Sequence, residues 1–101
     1  MNPISDSDIQ TALADLPGWS LEGDALVRQY ACSDFESAIS FIVRIGFVAA
    51  QMDHHPELFN VYSTLRIRLT THDAGDRVTQ RDLDLARAIE PISLAFCSRS
   101  T

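Results

Sequence analysis

The chain has 101 residues, 46% of them hydrophobic and 22% charged, with a net charge of −6 and a pI near 4.7. A chain of this size buries roughly 65% of its unfolded surface, so residues 1–101 are expected to form one domain without help from disulfides or metal. The acidic balance argues against a phosphate backbone as partner, and no uninterrupted apolar run approaches the ~18 residues of a membrane span.

In chain order, Ser5 with Asp8 three residues later reads as a variant capping box. Ile9, Ala12, Leu13 and Leu16 follow at helical spacing, and Pro17-Gly18 ends this first helix. Trp19-Ser20-Leu21 and Ala25 to Ala31 read as two short strands, with Glu22-Gly23-Asp24 as the turn between them. Ser33 and Glu36 form a capping box for a helix expected to run to about Gln51. Its polar positions, Ser37, Ser40, Arg44 and Gln51, make only a thin stripe. A helix apolar nearly all round is buried on more than one side. A domain this small has no room for that, so the 33–51 helix is expected at a subunit interface, with Phe47 or Val48 filling it.

Leu58 to Tyr62 and Leu65 to Thr71 read as two more strands joined at Ser63-Thr64. On that register Tyr62 faces Leu65 and, continued outward, His55 falls opposite His72. Leu65, Ile67, Leu69 and Thr71 share one face of the second strand, and Arg66, Arg68, Thr70 and His72 the other. Thr79 to Asp82 caps a last helix with Leu83, Leu85, Ala86, Ile89, Ile92 and Phe96 as its apolar positions. Pro91 lies inside this pattern and is expected to kink or split the helix, because an interior proline costs ~3 kcal/mol. The order is α-β-β-α-β-β-α. Short strand-to-strand links require hairpins, so the expected class is α+β: a two-layer sandwich of a four-stranded antiparallel sheet with three helices on one face.

The three histidines of the chain, His54, His55 and His72, fall within nineteen residues of each other. Pro56 disfavours the α region for His55, so the helix ends there and the pair sits in an extended segment. Three readings fit the cluster. The histidines can fill ordinary structural positions. They can bind zinc, although the H-x₃₋₅-H spacing is missing and adjacent histidines chelate poorly. They can move protons on a small ligand, since imidazole titrates near pH 6.5. Cys32 and Cys97 fit no metal or redox spacing and read as reduced thiols. Met1 to Asp6 carries neither the basic start nor the apolar stretch of a signal peptide, so a cytoplasmic location is expected.

Four blocks carry a resemblance: Asp53-His54-His55-Pro56-Glu57, Phe59-Asn60-Val61-Tyr62, Leu69-Thr70-Thr71-His72-Asp73 and Arg81-Asp82-Leu83-Asp84-Leu85-Ala86. Together with Leu16-Pro17-Gly18-Trp19 upstream, they closely resemble the pterin-4a-carbinolamine dehydratases over essentially the whole chain. The resemblance implies the same element order. It also implies homodimers or homotetramers packed through the long central helix. The activity it implies is dehydration of 4a-hydroxytetrahydropterin to quinonoid dihydropterin, without metal or other cofactor, in tetrahydrobiopterin recycling for phenylalanine hydroxylase. On this resemblance His54, His55 and His72 are catalytic. The pterin is contacted by His54, His55, Pro56, Thr71, His72, Asp73 and Ala74.

One departure stands out. The family often places an acid four residues before the first histidine, where this chain has Ala50. Asp53 or Glu57 are the candidates to replace it. Relatives on the same fold serve as dimerisation cofactors for a homeodomain transcription factor or resemble Rubisco assembly factors. The latter tend to lose parts of the histidine motif, which is complete here.

Overall fold

The computed structural model describes residues 2–97. Its elements are α1 (Asp6–Leu13), β1 (Ser20–Glu22), β2 (Ala25–Ala31), α2 (Phe35–Met52), β3 (Glu57–Val61), β4 (Thr64–Leu69), a 3₁₀ turn (His72–Ala74) and α3 (Gln80–Ser93). The four strands form one antiparallel sheet in the order β1-β2-β4-β3. The expected α+β architecture is the one observed.

Strand alternation sorts the two faces of the sheet. Leu26 and Tyr30 of β2 and Leu65, Ile67 and Leu69 of β4 point to one side, where they share a buried cluster with Ile9, Phe41, Ile45, Leu85 and Ile89 of the three helices. The other side carries cross-strand ion pairs, Arg66–Glu22 at 2.8 Å and Arg68–Glu57 at 2.5 Å. The Phe41 ring anchors the layer contact, with Tyr30 edge-on at 5.1 Å and Phe96 stacked at 6.0 Å.

A polar knot closes the lower edge of the core. One Glu90 oxygen accepts from Trp19 Nε1 at 2.9 Å, from Arg28 Nε at 3.3 Å and from the Tyr30 hydroxyl. The Arg28 guanidinium also lies 4.0 Å from the Tyr30 ring centroid. Burial and the Glu90 carboxylate push the Tyr30 phenol far up, so it stays a neutral donor. Gly18 follows from this knot. Its φ is +87°, and a Cβ there would stand 2.5 Å from Arg28 Nε.

Four local expectations are corrected. The cap of α2 is Asp34, whose carboxylate accepts from Ser37 N at 2.7 Å, rather than Ser33. The β3–β4 turn falls at Tyr62-Ser63, so Val61 rather than Tyr62 begins the pairing, opposite Thr64. Tyr62 adopts φ 51°, and the Asn60 side chain donates to Tyr62 O and Thr64 O, both at 3.0 Å, which pins the tighter turn. This register, carried outward, sets His55 beside Thr70 instead of His72. Pro91 does not split α3; the helix runs through it and ends at Ser93, so the proline removes only the one ladder bond that position 91 would have made to Arg87 O, close to the end of the helix.

The fourth concerns the exposed side of α2. Its buried positions are Ala38, Phe41, Ile45 and Ala49. Phe35, Ile39, Val43 and Phe47 repeat every four residues on its outer side and are 48%, 39%, 50% and 66% exposed. Val48 packs against the core, so of the two expected interface residues only Phe47 lies on the open stripe. By length and mean hydropathy α2 is also the one helix among the described residues that could cross a membrane. Packing against the core accounts for Ala38, Phe41, Ile45 and Ala49, and leaves the apolar outer stripe uncovered.

Candidate active site

The site forms where α2 ends and α3 begins. At the end of α2, Asp53 takes a left-handed conformation (φ 51°, ψ 44°). His54 N then bonds Ala49 O at 3.0 Å and Asp53 N bonds Ala50 O at 3.2 Å, a Schellman closure that fixes the path of the chain into Pro56. Arg81, in the first turn of α3, donates from Nη2 to Met52 O at 3.2 Å and to Asp53 O. The guanidinium thus satisfies carbonyls left open at the end of α2 and ties the histidine segment to α3.

The start of α3 supplies the residue that orients His54. Thr79 and Asp82 make a true capping box, and Asp82 Oδ2 accepts from Thr79 N at 2.8 Å. The same oxygen accepts from Thr71 Oγ1 at 2.9 Å, while Oδ1 meets His54 Nε2 at 2.5 Å. Asp82 is fully buried and His54 only 7% exposed. Nε2 is thus committed to this carboxylate, and Nδ1 is the ring nitrogen left for another partner. Thr71 and Thr79 hydroxyls pair at 2.7 Å, so every buried polar side chain of the knot has a partner.

His72 is held differently. Thr71 N bonds Arg77 O at 2.9 Å, and the chain then turns through His72–Ala74 to Gly75 and Asp76, both at positive φ. Asp76 Oδ1 lies 3.0 Å from His72 Nδ1, which leaves Nε2 free. The Asp76 carboxylate, by hydrogen bond and charge, raises the pKa of His72 above its ordinary value, with a smaller push from Asp73. The imidazole itself is 91% exposed.

A cavity of about 260 Å³ opens between these segments. Asp53, His54 and His55 form one wall and Thr70, Thr71, His72 and Asp73 another, with Arg81 between them. The three histidines are therefore brought to one cavity. Thr71 and Asp73 of the expected contact set also line it; Pro56 and Ala74 stand beside it in the chain but not on its wall. No group of three or more metal-ligating side chains is placed to hold an ion among the described residues.

Of the proposed replacements for an acid at position 50, Glu57 pairs with Arg68 at 2.5 Å and does not line the cavity. Asp53 lines the cavity. The carboxylates that touch imidazoles are instead Asp82 and Asp76. In the sequence Arg81 and Asp82 belong to the helix cap and to one block of the family resemblance, with no role at the site attached to either, and Asp76 lies in a loop. The capping-box acid was the available signal, because an acid at that position has a second oxygen free for another partner.

A family model described as Pterin 4 alpha carbinolamine dehydratase matches residues 2–92. The chain is 48% identical over 90 residues to a protein of Opitutus terrae, covering 89% of this chain and 93% of the relative. It is 47% identical over 98 residues to a protein of Rhodopseudomonas palustris, covering 95% of this chain and 96% of the relative. Both carry the pterin-4-alpha-carbinolamine dehydratase name. The crystal structure of a transcriptional coactivator/pterin dehydratase from Brucella melitensis matches with a TM-score of 0.84 at 34% identity, over 90% of this chain and 98% of that one.

Proposed function

Since the chain belongs to the pterin-4a-carbinolamine dehydratase family, a family of hydro-lyases, we propose that it dehydrates 4a-hydroxytetrahydropterin in this cavity by histidine acid–base catalysis. The observation that carries the reading is the convergence of His54, His55 and His72 on one cavity, two of them each paired with a carboxylate.

The chemistry needs an acid and a base. The C4a–O bond breaks as the hydroxyl takes a proton and leaves as water. The N5 lone pair forms the C4a=N5 bond, and the N5 proton goes to a base. His72 is the acid on this reading, because Asp76 favours its protonated form and leaves Nε2 available. His54, buried with Nε2 committed to Asp82, anchors the ring edge. His55, exposed on the same wall, is the base. Thr71, Asp73 and Arg81 offer the remaining polar contacts to the pterin. The metabolic setting that fits this substrate is tetrahydropterin recycling beside phenylalanine hydroxylase in the cytoplasm. The activity is tested by generating the carbinolamine with a phenylalanine hydroxylase. Decay accelerated in proportion to added protein supports it.

The role of Asp76 makes a signed prediction. A raised His72 pKa keeps the imidazole protonated, and the ion pair intact, until pH climbs past that value. Asp76→Asn returns His72 toward ~6.5, so the alkaline limb of the kcat/KM profile should move to lower pH while the acid limb stays. An alkaline limb that does not move removes His72 as the acid.

The working form on this reading is a homodimer or homotetramer joined through the outer stripe of α2, with Val61 and Tyr62 beside Phe35 as further exposed apolar surface. Phe47→Asp places a charge in that stripe and should shift sedimentation toward monomer with little change in the melting of the monomer fold. A parent protein that sediments as a monomer contradicts this.

A further inference from the structure

We propose that Cys32 and Cys97 are a thiol–disulfide site that staples the end of α3 to the end of β2. The two cysteines are 65 positions apart in the chain yet are direct antiparallel bridge partners. Ser33 N bonds Phe96 O at 3.1 Å, whereas Cys32 N bonds Ser63 O, so the cysteines form a non-hydrogen-bonded pair. Such pairs bring Cα atoms to about 4.5 Å with their side chains close, within the ~4.4–6.8 Å range that a disulfide spans.

The segment that carries Cys97 is held in place. Cys97 N bonds Ser93 O at 2.8 Å, Ser33 Oγ donates to Phe96 O at 3.3 Å, and the Phe96 ring stacks on Phe41. The sulfurs therefore face each other before any oxidant arrives. Both residues are in thiol form, 7% and 8% exposed. Burial, and then the neighbouring Cys32 thiol, push the Cys97 thiol up, so the pair is slow toward reagents but poised for each other.

The oxidant is a low-molecular-weight disulfide. One cysteine thiolate attacks a reagent sulfur, forming a mixed disulfide and expelling one reagent thiolate. The second cysteine then attacks the bonded cysteine sulfur and expels the other. The cysteine pair loses two electrons, the reagent disulfide gains them, and the two cysteine protons end on the two reagent thiols.

The location sets the consequence. Cys32 precedes α2 and Cys97 follows α3, whereas the histidine cavity lies at the opposite ends of both helices. An 18-residue helix spans about 27 Å. The staple therefore acts on stability rather than on the cavity, and it closes a long loop, the case in which a cross-link restricts the unfolded chain most.

The test exposes the native protein to oxidised glutathione at mildly alkaline pH. Both thiols should disappear, the chain should become two hydrogens lighter, and a non-reducing peptide map should join Cys32 to Cys97. The melting temperature should rise by on the order of 10 °C, and a reductant should reverse it. Cys32→Ser and Cys97→Ser should each abolish the rise. A product that stops as a glutathione adduct, a disulfide-linked dimer, thiols that react only in denaturant, or a rise that survives either substitution would overturn the proposal.

Discussion

Replacing Asp82 with alanine should lower the melting temperature by more than about 10 °C and slow dehydration about 100-fold. The carboxylate is fully buried and accepts from Thr79 N, Thr71 Oγ1 and His54 Nε2. Deleting it strands buried donors, each costing about 1–3 kcal/mol, and a broken buried network costs roughly 3–5 kcal/mol in all. At about 4–8 °C per kcal/mol for a domain this size, the melting shift is large. The kinetic loss has a separate origin: His54 loses the partner that fixes its tautomer and ring plane, and a ~1 Å misplacement can cost about 10²-fold. Asp82→Asn keeps the volume and should restore much of the stability but less of the rate, since its amide nitrogen must face one of the donors. An alanine variant that melts and turns over like the parent would show that the knot supports neither the fold nor the imidazole.

His72→Ala should have the opposite signature. The imidazole is 91% exposed, and Asp76, which it bonds, is 67% exposed, so the melting temperature should barely move. Loss of a positioned general acid costs about 10²–10⁴ in rate. The defect should appear in kcat more than in KM, because a proton donated to the leaving hydroxyl matters in the transition state rather than in pterin binding. A KM defect at unchanged kcat would recast His72 as a binding residue.

The contrast between these residues explains what could be read in advance. Element order was legible because period and punctuation coincide: Ser5, Thr79 and the alternation of Leu65, Ile67 and Leu69 are local signals. The β3–β4 register was not, because Tyr62 takes a left-handed conformation that its residue type does not advertise and Asn60 enforces it. The histidines announced themselves by scarcity and crowding. Their carboxylates did not: Asp82 meets His54 across 28 positions through the packing of α3 on α2, and Asp76 reaches His72 only through a turn built on Gly75. An acid already explained as a helix cap hides its second role, which belongs to tertiary structure. The same holds for Cys32 and Cys97, whose spacing says nothing and whose bridge says a good deal.

On the proposed function, the histidine cavity performs the dehydration. The most direct measurement follows the decay of enzymatically generated 4a-hydroxytetrahydropterin with the parent protein and with a His55→Ala, His72→Ala double variant of unchanged melting temperature. The parent should accelerate decay in proportion to its concentration, and the double variant should leave it at the spontaneous rate. Equal acceleration by both proteins would contradict the account.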